Sequence, residues 1–541
     1  MKDYLYKVFN DLKSKLDFIE IDKITFNVPN FKEHGDFATN YPFILAKQLK
    51  KSPKEIAKEI LENLTDSENA FSCVEVAGNG FINFKFRKEF IFNSLNKVLN
   101  EGKEFGKLKK YFGRKALVEF VSANPTGPLT VGHGRNAVFG DTIANLLEAV
   151  GYEVEREYYF NNAGRQMRIL ADSVRLRYLE LLGEKIDFPD DYYQGEYIID
   201  IAKKILDEFS DKTRNIDDLN FFKEFAEKEI FKGINKTLER LGIRFDNYFN
   251  ENSLYETGKI EEVINQFKTK EICYEKDGAL WLALTKLGKE RDKVIVKSTG
   301  EPTYRLPDIA YHIEKFKRDY DLMVDIFGAD HIATYPDVLA GLEILGYDTR
   351  KVKVLIHQFV TIVQDGELVK MSTRKANFIT LDQLIDEVGA DVVRYFFLMR
   401  SISSHLNFEL TLAKKQTDEN PVFYLQYAHA RICGILRFAI EQGKQPSDKL
   451  SVLGEDEEIN LAKHLLNFPD VVLRSAENYD QLILITYLHE LAELFHKFYH
   501  EHRVLGQSEE ITSARLALCK AAQIVLQNGL SILGINAPER M

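Results

Sequence analysis

No two cysteines in this chain are close enough to form a metal clasp or a redox pair. Cys73, Cys273, Cys433 and Cys519 stand far apart with no CxxC spacing. That excludes a cysteine-built zinc site and a disulfide-stapled secreted scaffold, and points to a reducing cytosol with the thiols buried. Also missing is any apolar run near the roughly 18–20 residues of a membrane span. The opening Met1-Lys-Asp-Tyr-Leu-Tyr6 has no signal-peptide pattern. We therefore expect a cytoplasmic protein with no membrane partner. Positive charge is not in excess either: 72 Lys and Arg against 83 Asp and Glu give a net charge of −11. This argues against a nonspecific nucleic-acid binder, although a specific one depends on local patches rather than on net charge. Basic residues do cluster at Lys47 to Lys51, Lys103 to Arg114 and Lys414-Lys415. For any one cluster the default is a solvated face.

The chain has ample material for several cores. Its 541 residues exceed the ~250–300 at which a single core stops growing, and an apolar share of 45% is ordinary for globular proteins. Pattern changes divide it into three parts. Residues 1–105 mix helical runs (Tyr4 to Leu16, Ser52 to Leu64) with short alternating strands (Cys73 to Val76, Phe81 to Phe86), predicting a small α+β domain. The basic stretch 103–114 reads as a linker. Over 106–411 strands alternate with helices, predicting a Rossmann-type parallel sheet with a helical insertion at about 165–245. From 412 to 541 the pattern is helical throughout, with an apolar stripe at Leu482, Ile485, Leu488, Leu491, Leu494 and Phe498, predicting an all-α bundle.

The densest signal lies near the start of the middle part. Residues 115–122 alternate and are rich in Val and Phe, as a buried strand would be, and Asn124-Pro-Thr-Gly-Pro128 is a rigid turn. From Val131 the apolar residues Val138, Ile143, Leu146, Leu147 and Val150 take helical spacing, and Gly151 ends the run. Strand, tight loop and helix together form the entry to a nucleotide site, where free amides and the positive dipole end face phosphates. The glycines are not in the GxGxxG arrangement, which disfavours a nicotinamide cofactor. Far downstream, Lys370-Met371-Ser372-Thr373-Arg374-Lys375 follows an Asp365-Gly366 turn, as a hairpin-borne loop should.

Thr130-Val-Gly-His133 resembles the "HIGH" element of class I aminoacyl-tRNA synthetases, and Lys370 to Lys375 resembles their "KMSKS" loop. Further segments narrow the resemblance to the arginyl-tRNA synthetase family. They are Gly35 to Asn40, Glu75 to Phe84, Glu157 to Gln166, Phe327 to His331, Tyr427 to Arg431 and Leu533 to Met541. The resemblance implies an N-terminal domain that meets the outer corner of tRNA, a Rossmann catalytic core and a helical anticodon-binding domain. It also implies ligation of L-arginine to tRNA(Arg) at the expense of ATP with Mg²⁺, through an arginyl-adenylate, releasing AMP and pyrophosphate. Activation is expected to need bound tRNA, and the 2′-OH of the terminal adenosine to be loaded first.

By the same resemblance, His133, Lys370 and Thr130 serve the reacting phosphates. Pro125, Gly127, Gly132, Asp330, Met371 and Ser372 join His133 around ATP. Glu119, Ser122, Asn124, Tyr304, Asp308 and Gln166 line the arginine pocket, with Tyr159 beside them. Tyr304 and Asp308 form the Tyr-xxx-Asp pair that grips the guanidinium: the carboxylate accepts two parallel N–H bonds while the phenol packs on the plane. Tyr427, Arg431, Arg503 and Met541 are the candidates for tRNA contacts. No structural metal is implied, and a monomer is expected. Thr130 and Thr373 depart from the family pattern: a hydroxyl at position 130 donates a hydrogen bond but carries no charge, and Arg374 and Lys375 flank the second change.

Each residue taken singly also has a structural explanation. Glu119 in an apolar strand would have a buried partner such as an Arg; Asn124 would shape its loop; Tyr304 and Asp308 would be a core aromatic and a helix cap. His331 would be a satisfied polar group, and His429 and Arg431 ordinary bundle residues. Two other functions stay open on the sequence: a different class I synthetase or adenylate-forming ligase, and a silent paralogue that binds tRNA without charging it.

Overall fold

The computed structural model describes residues 1–29, 31–209, 217–369 and 379–541. Lys370, Met371, Ser372, Thr373, Arg374 and Lys375 lie outside the described residues.

The N-terminal part folds as expected. Helices Lys2–Lys13 and Pro53–Asn63 pack against a small sheet of β1 (Phe37–Thr39), β2 (Phe71–Ala77) and β3 (Phe81–Phe86), in the order β1-β3-β2 and all antiparallel. Ser52 and Glu55 close a capping box at the second helix, which satisfies two otherwise orphan amides. The cysteines divide: Cys433 and Cys519 are buried and Cys273 partly so, but Cys73 is exposed, because β2 is an edge strand with a mostly uncovered outer face. The stretch 103–114 is docked rather than a free linker. The Leu108 and Tyr111 amides donate to the carbonyls of Ala149 and Val150, and Asn528 Nδ2 donates to the carbonyls of Gly102 and Phe105.

The middle part is built on five parallel strands. They are β4 (Lys115–Glu119), β5 (Glu153–Phe160) and β6 (Asn247–Asn250), then, after an antiparallel meander of β7 (Cys273–Lys276), β8 (Ala279–Leu282) and β9 (Lys293–Val296), β10 (Leu322–Gly328) and β11 (Val352–His357). The order in the sheet is β11-β10-β4-β5-β6. The chain starts at the centre, winds outward through β5 and β6, and returns to the other side. The reversal leaves a crevice between β4 and β10 at their carboxyl ends, where ligands of open α/β sheets bind. Between β5 and β6 lie the helices Gly164–Leu181, Glu196–Phe209 and Leu219–Arg240, the expected insertion. A last small sheet holds β12 (Val360–Gln364), β13 (Glu367–Leu368) and β14 (Leu406–Glu409).

The helix Val131–Ala149 runs through the middle of the molecule, buried on nearly every face. Gly140 allows the closest approach: a Cβ there would stand 2.2 Å from the Phe120 ring. The C-terminal part is a bundle of helices Pro421–Glu441, Asp456–Leu466, Phe468–Asn478, Gln481–Glu501 and Glu509–Ile532. Of the stripe on the fourth of these, Ile485, Leu488, Leu491 and Phe498 are fully buried, while Leu482 and Leu494 lie at its margin. The bundle holds the N-terminal part directly, with Lys2 paired to Asp470 at 2.7 Å and Lys463 to Asp36 at 2.5 Å. No helix among the described residues is long and apolar enough to cross a membrane.

Candidate active site

The predicted strand 115–122 ends early, at Glu119, because Val121 and Ser122 take φ of +65° and +45°. A β-branched residue in the left-handed region is unfavourable by roughly 1–3 kcal/mol and persists only where its surroundings over-determine it. Asn136, one turn into the Val131 helix, does so here. Its Oδ1 accepts from the Val121 amide at 2.6 Å and its Nδ2 donates to the Ile326 carbonyl of β10 at 2.9 Å. One buried amide therefore spans the crevice floor and turns the chain after β4 toward the pocket.

That turn brings the predicted arginine residues together. Ser122 Oγ donates to Glu119 Oε1 (3.0 Å) and accepts from the Tyr159 amide (3.2 Å). Asn124 Nδ2 donates to Gln166 Oε1 (3.1 Å), and Asn124 Oδ1 accepts from the Asn161 amide (3.0 Å). Opposite stands the helix Arg305–Lys317, with Tyr304 at its N-cap and Asp308 in its first turn. Tyr304 is 84% exposed, so it is not a core aromatic. Asp308 does not cap the helix, and no side-chain hydrogen bond to its carboxylate is found among the described residues. Burial, reinforced by the carboxylates of Glu119 and Glu251, pushes Asp308 up to about 7. A partly buried carboxylate among carboxylates, with no cation paired to it, suits a cationic ligand. Glu119 does have the structural partner foreseen for it, but a lysine: Lys315 Nζ lies 2.5 Å from its Oε2.

Sequence reasoning missed Glu251. It accepts from Tyr159 Oη at 2.7 Å and Asn161 Nδ2 at 2.8 Å, and burial raises it. Its signal, an acid just past a short aromatic strand, is too common to stand out. Asp325 was legible only as a lone charge in an apolar stretch, Lys315 only as one of several charges in a helix that is charged on both sides of it, and Asn136 only as a polar residue in a buried helix.

On the nucleotide side Thr130 has a definite role. It is the N-cap of the Val131 helix, in a capping box with His133: its hydroxyl accepts from the His133 amide at 3.4 Å, and His133 Nδ1 accepts from the Thr130 amide at 3.2 Å. The box uses up Nδ1 and leaves Nε2 for a ligand. Burial and the nearby His357 ring hold His133 down to about 4, so its imidazole is neutral at pH 7. His357, at the carboxyl end of β11, was also missed. A Cβ on Gly132 would meet only Thr130 Oγ1, at 3.7 Å, so the helix start is open there. Gly127 lies under Tyr197, whose hydroxyl donates to the Thr126 carbonyl (2.7 Å) and holds the Pro125 to Pro128 loop. Asp330 follows β10 and is exposed beside His331, which stacks on Phe327.

The segment 370–378 follows a hairpin and leads into a stretch anchored at this site. Upstream, Asp365 and Gly366 both take positive φ in the β12–β13 turn, the twist a two-residue hairpin requires. Downstream, Thr380 bridges to Thr130, and the Leu381 amide donates to the Leu129 carbonyl at 2.9 Å.

Two of the tRNA candidates, Tyr427 and Arg431, lie together on the bundle. Arg431 stacks over Tyr427 and over Tyr499, and Tyr424 and Tyr427 both contact His496. Tyr427 is 49% exposed, an arrangement suited to unstacked bases. Arg503 is exposed just past the Gln481 helix. The chain end lies along the Pro421 helix, where the Pro538 carbonyl meets His429 Nδ1 at 2.9 Å, and Met541 is exposed. His429 is thus a satisfied bundle residue. Of the basic clusters, Lys51, Lys107, Lys110, Lys414 and Lys415 are paired with acids.

A parallel sheet with its crevice between β4 and β10, a capped Thr-x-Gly-His helix start at that crevice, and a helical C-terminal bundle define the architecture of a class I aminoacyl-tRNA synthetase. Residues 94–394 match the family model "tRNA synthetases class I (R), catalytic domain", residues 2–86 "Arginyl tRNA synthetase N terminal domain", and residues 425–541 "DALR anticodon binding domain". An arginine--tRNA ligase of Desulfotalea psychrophila is 53% identical over 523 residues, 96% of this chain and 95% of that protein. A putative arginyl-tRNA synthetase structure from Campylobacter jejuni superposes with a TM-score of 0.78 at 34% identity, covering 84% of this chain and all of that one. The Thermus thermophilus arginyl-tRNA synthetase shares the fold over the whole of both chains, with a TM-score of 0.77 at 22% identity. The chain belongs to the arginyl-tRNA synthetase family.

Proposed function

We propose that this chain ligates L-arginine to tRNA(Arg) in two steps, with the crevice between β4 and β10 as the reaction site. The observation that carries this reading is the partly buried, unpaired Asp308 carboxylate within electrostatic reach of Glu119, Glu251 and Tyr159, in a sheet whose first strand leads into the capped His133 helix start. In the first step an oxygen of the arginine carboxylate bonds to the α-phosphorus of ATP and pyrophosphate leaves. In the second the 2′-OH of the terminal adenosine takes the arginyl group and AMP leaves. Neither step needs a nucleophilic side chain, so positioned donors and charges supply the acceleration.

Asp308 takes the guanidinium and Tyr304 closes over its plane. Asn124, Ser122, Gln166 and Glu119 shape the rest of the arginine pocket, with Tyr159 and Glu251 behind. His133 Nε2 and the amides at the Val131 helix start meet the phosphates; Pro125, Gly127, Gly132 and Asp330 border the nucleotide. Lys370, Met371 and Ser372 belong to this reading through the sequence and the anchored downstream flank of their segment. Mg²⁺ enters with ATP as the phosphate counter-ion, and the described residues hold no acid, His or Cys cluster able to bind a resident ion. Tyr427, Arg431, Arg503 and Met541 face the tRNA. Domain limits at 105/106 and 411/412, a monomeric state and a cytoplasmic location, where tRNA is found, complete the proposal.

The test is aminoacylation of total tRNA with each of the twenty amino acids, ATP and Mg²⁺. Charging with arginine alone is expected. Charging with another amino acid overturns the specificity, and tRNA binding without charging favours a silent paralogue.

A pH dependence follows from Asp308. Its pKa of about 7 in the empty site means that arginine binding must release a proton below that pH. KM for arginine should rise by about tenfold per unit as pH falls below 7. KM for ATP should not follow, because His133 at about 4 stays neutral throughout. Steady-state charging between about pH 8 and pH 5.5 measures both; a flat arginine KM would count against Asp308 as the guanidinium partner.

A further inference from the structure

We propose that Lys315 is a positioning residue of the arginine pocket: it holds Glu119 in place and cancels one of two adjacent buried carboxylates, so that the pocket keeps the negative charge a single guanidinium balances. This rests on the functional reading above and deepens it.

Strand register creates the need for this cation. Glu119 closes β4, Asp325 lies on β10, and the two are direct Cα partners in adjacent parallel strands. They therefore point to the same face of the sheet at neighbouring positions. Both are almost fully buried. Two carboxylates so placed cannot both stay ionised without a compensating cation. Lys315, with no exposed surface, puts its ammonium 2.5 Å from Glu119 Oε2 and 2.6 Å from Asp325 Oδ1. The Tyr311 ring lies 4.3 Å beneath the ammonium, and His312 Nε2 meets the other Asp325 oxygen at 2.9 Å. Glu157, a further buried acid on the neighbouring strand β5, is already matched by Arg318 and Tyr311.

The same helix carries this cation and the guanidinium partner. Asp308, Tyr311, His312 and Lys315 fall on one face at helical spacing, and His312 Nδ1 meets the Asp308 carbonyl at 2.7 Å. Lys315 thus links the helix that bears Asp308 to both strands that border the crevice. With its Oε2 held by Lys315, Glu119 turns Oε1 to Ser122, the residue whose left-handed turn starts the pocket loop. The built-in lysine divides the acids of the site into a neutralised group at the floor and an unneutralised group, Asp308 and Glu251, at the ligand.

The test is steady-state arginylation by the full-length wild type, Lys315→Met and the double variant Lys315→Met/Asp325→Asn, with arginine varied and ATP and tRNA saturating. The wild type carries +1 and −2 in the triad, net −1; the single variant is left at −2, and the double variant returns to −1. Lys315→Met is expected to raise KM for arginine on the order of 10²-fold, with a much smaller fall in kcat. The double variant should recover at least a tenfold part of that loss. A single variant with wild-type arginine KM overturns the proposal. So does a double variant as impaired as the single one while both keep the wild-type circular dichroism spectrum, because then the lysine acts by packing and not by charge. If the single variant fails to fold, the double variant decides: near wild-type arginine KM supports charge balance, and loss of folding in both refutes it. A wild type that does not charge arginine at all would instead refute the underlying functional reading.

Discussion

Replacing Asp308 with asparagine is expected to raise KM for arginine by about 10³-fold or more while leaving KM for ATP near its wild-type value. The amide matches the carboxylate in shape but presents a donor toward a group that is all donors. It loses both charge-assisted bonds and leaves guanidinium N–H groups unpaired in a partly buried pocket. Losses of that kind are worth roughly 3–5 kcal/mol, against about 1 kcal/mol for an ordinary hydrogen bond.

The variant should behave oppositely in stability. Asp308 has a folded-state value of about 7 against an ordinary 3.8, so the empty folded protein holds this proton more tightly than the unfolded chain does. The stability associated with it is present below pH 3.8 and is lost as pH rises through 7. Asparagine removes that loss, so at pH 8 the empty variant should melt no lower than the wild type. Charging kinetics with arginine varied, together with thermal melts at pH 8, test both halves. An arginine KM within tenfold of wild type would move the guanidinium site elsewhere.

The second large effect concerns stability. Arg394 is 1% exposed and ties three parts of the molecule together. It donates to Asp141 Oδ2 on the Val131 helix (2.6 Å), to the Leu241 carbonyl at the end of the helical insertion (2.7 Å) and to the Leu533 carbonyl after the last bundle helix (2.9 Å). The packing is so close that a Cβ on Gly534, which sits at φ +68°, would lie 2.1 Å from the guanidinium. Arg394→Met keeps much of the volume but strips the donors from two carbonyls and leaves Asp141 with only long contacts, to Arg156 at 3.6 Å and from Asn145 Nδ2 at 3.4 Å. Removing one partner of a buried ion pair costs about 3–5 kcal/mol. The expected result is a clearly lower urea midpoint, with the C-terminal tail more open to proteolysis. An unchanged midpoint and unchanged cleavage would show that the tail is held without Arg394, by its other contacts: the buried Leu533 and Ile535, the Asn536 bonds to Gln426 and Asp391, and the Pro538 carbonyl at His429.

Much of this molecule was legible before folding. The strand before Asn124, the helix from Val131, the hairpin turn at Asp365-Gly366 and the all-helical end are local patterns, carried by alternation, 3.6-residue spacing and turn chemistry. Local order also accounts for Thr130, which closes the helix in a capping box with His133, three residues away. The residues that sequence reasoning missed are of another kind. Glu251, His357, Asn136, Lys315 and Asp325 are single polar residues in ordinary local settings, and each matters only through a neighbour distant in the chain.

The placement of Tyr304 makes the same point from the other side. Its spacing from Asp308 was evident, but a tyrosine at a helix start reads equally well as core or surface, and only the packed helix shows it exposed. By itself the sequence determined the elements, the order of the three parts and the local chemistry of the helix start, because those depend on residues a few positions apart. The tertiary structure alone decided which charges meet. Parallel strand register sets Glu119 beside Asp325, helix docking drops Lys315 between them, and burial, by removing water from Asp308, gives that carboxylate its need for a cation.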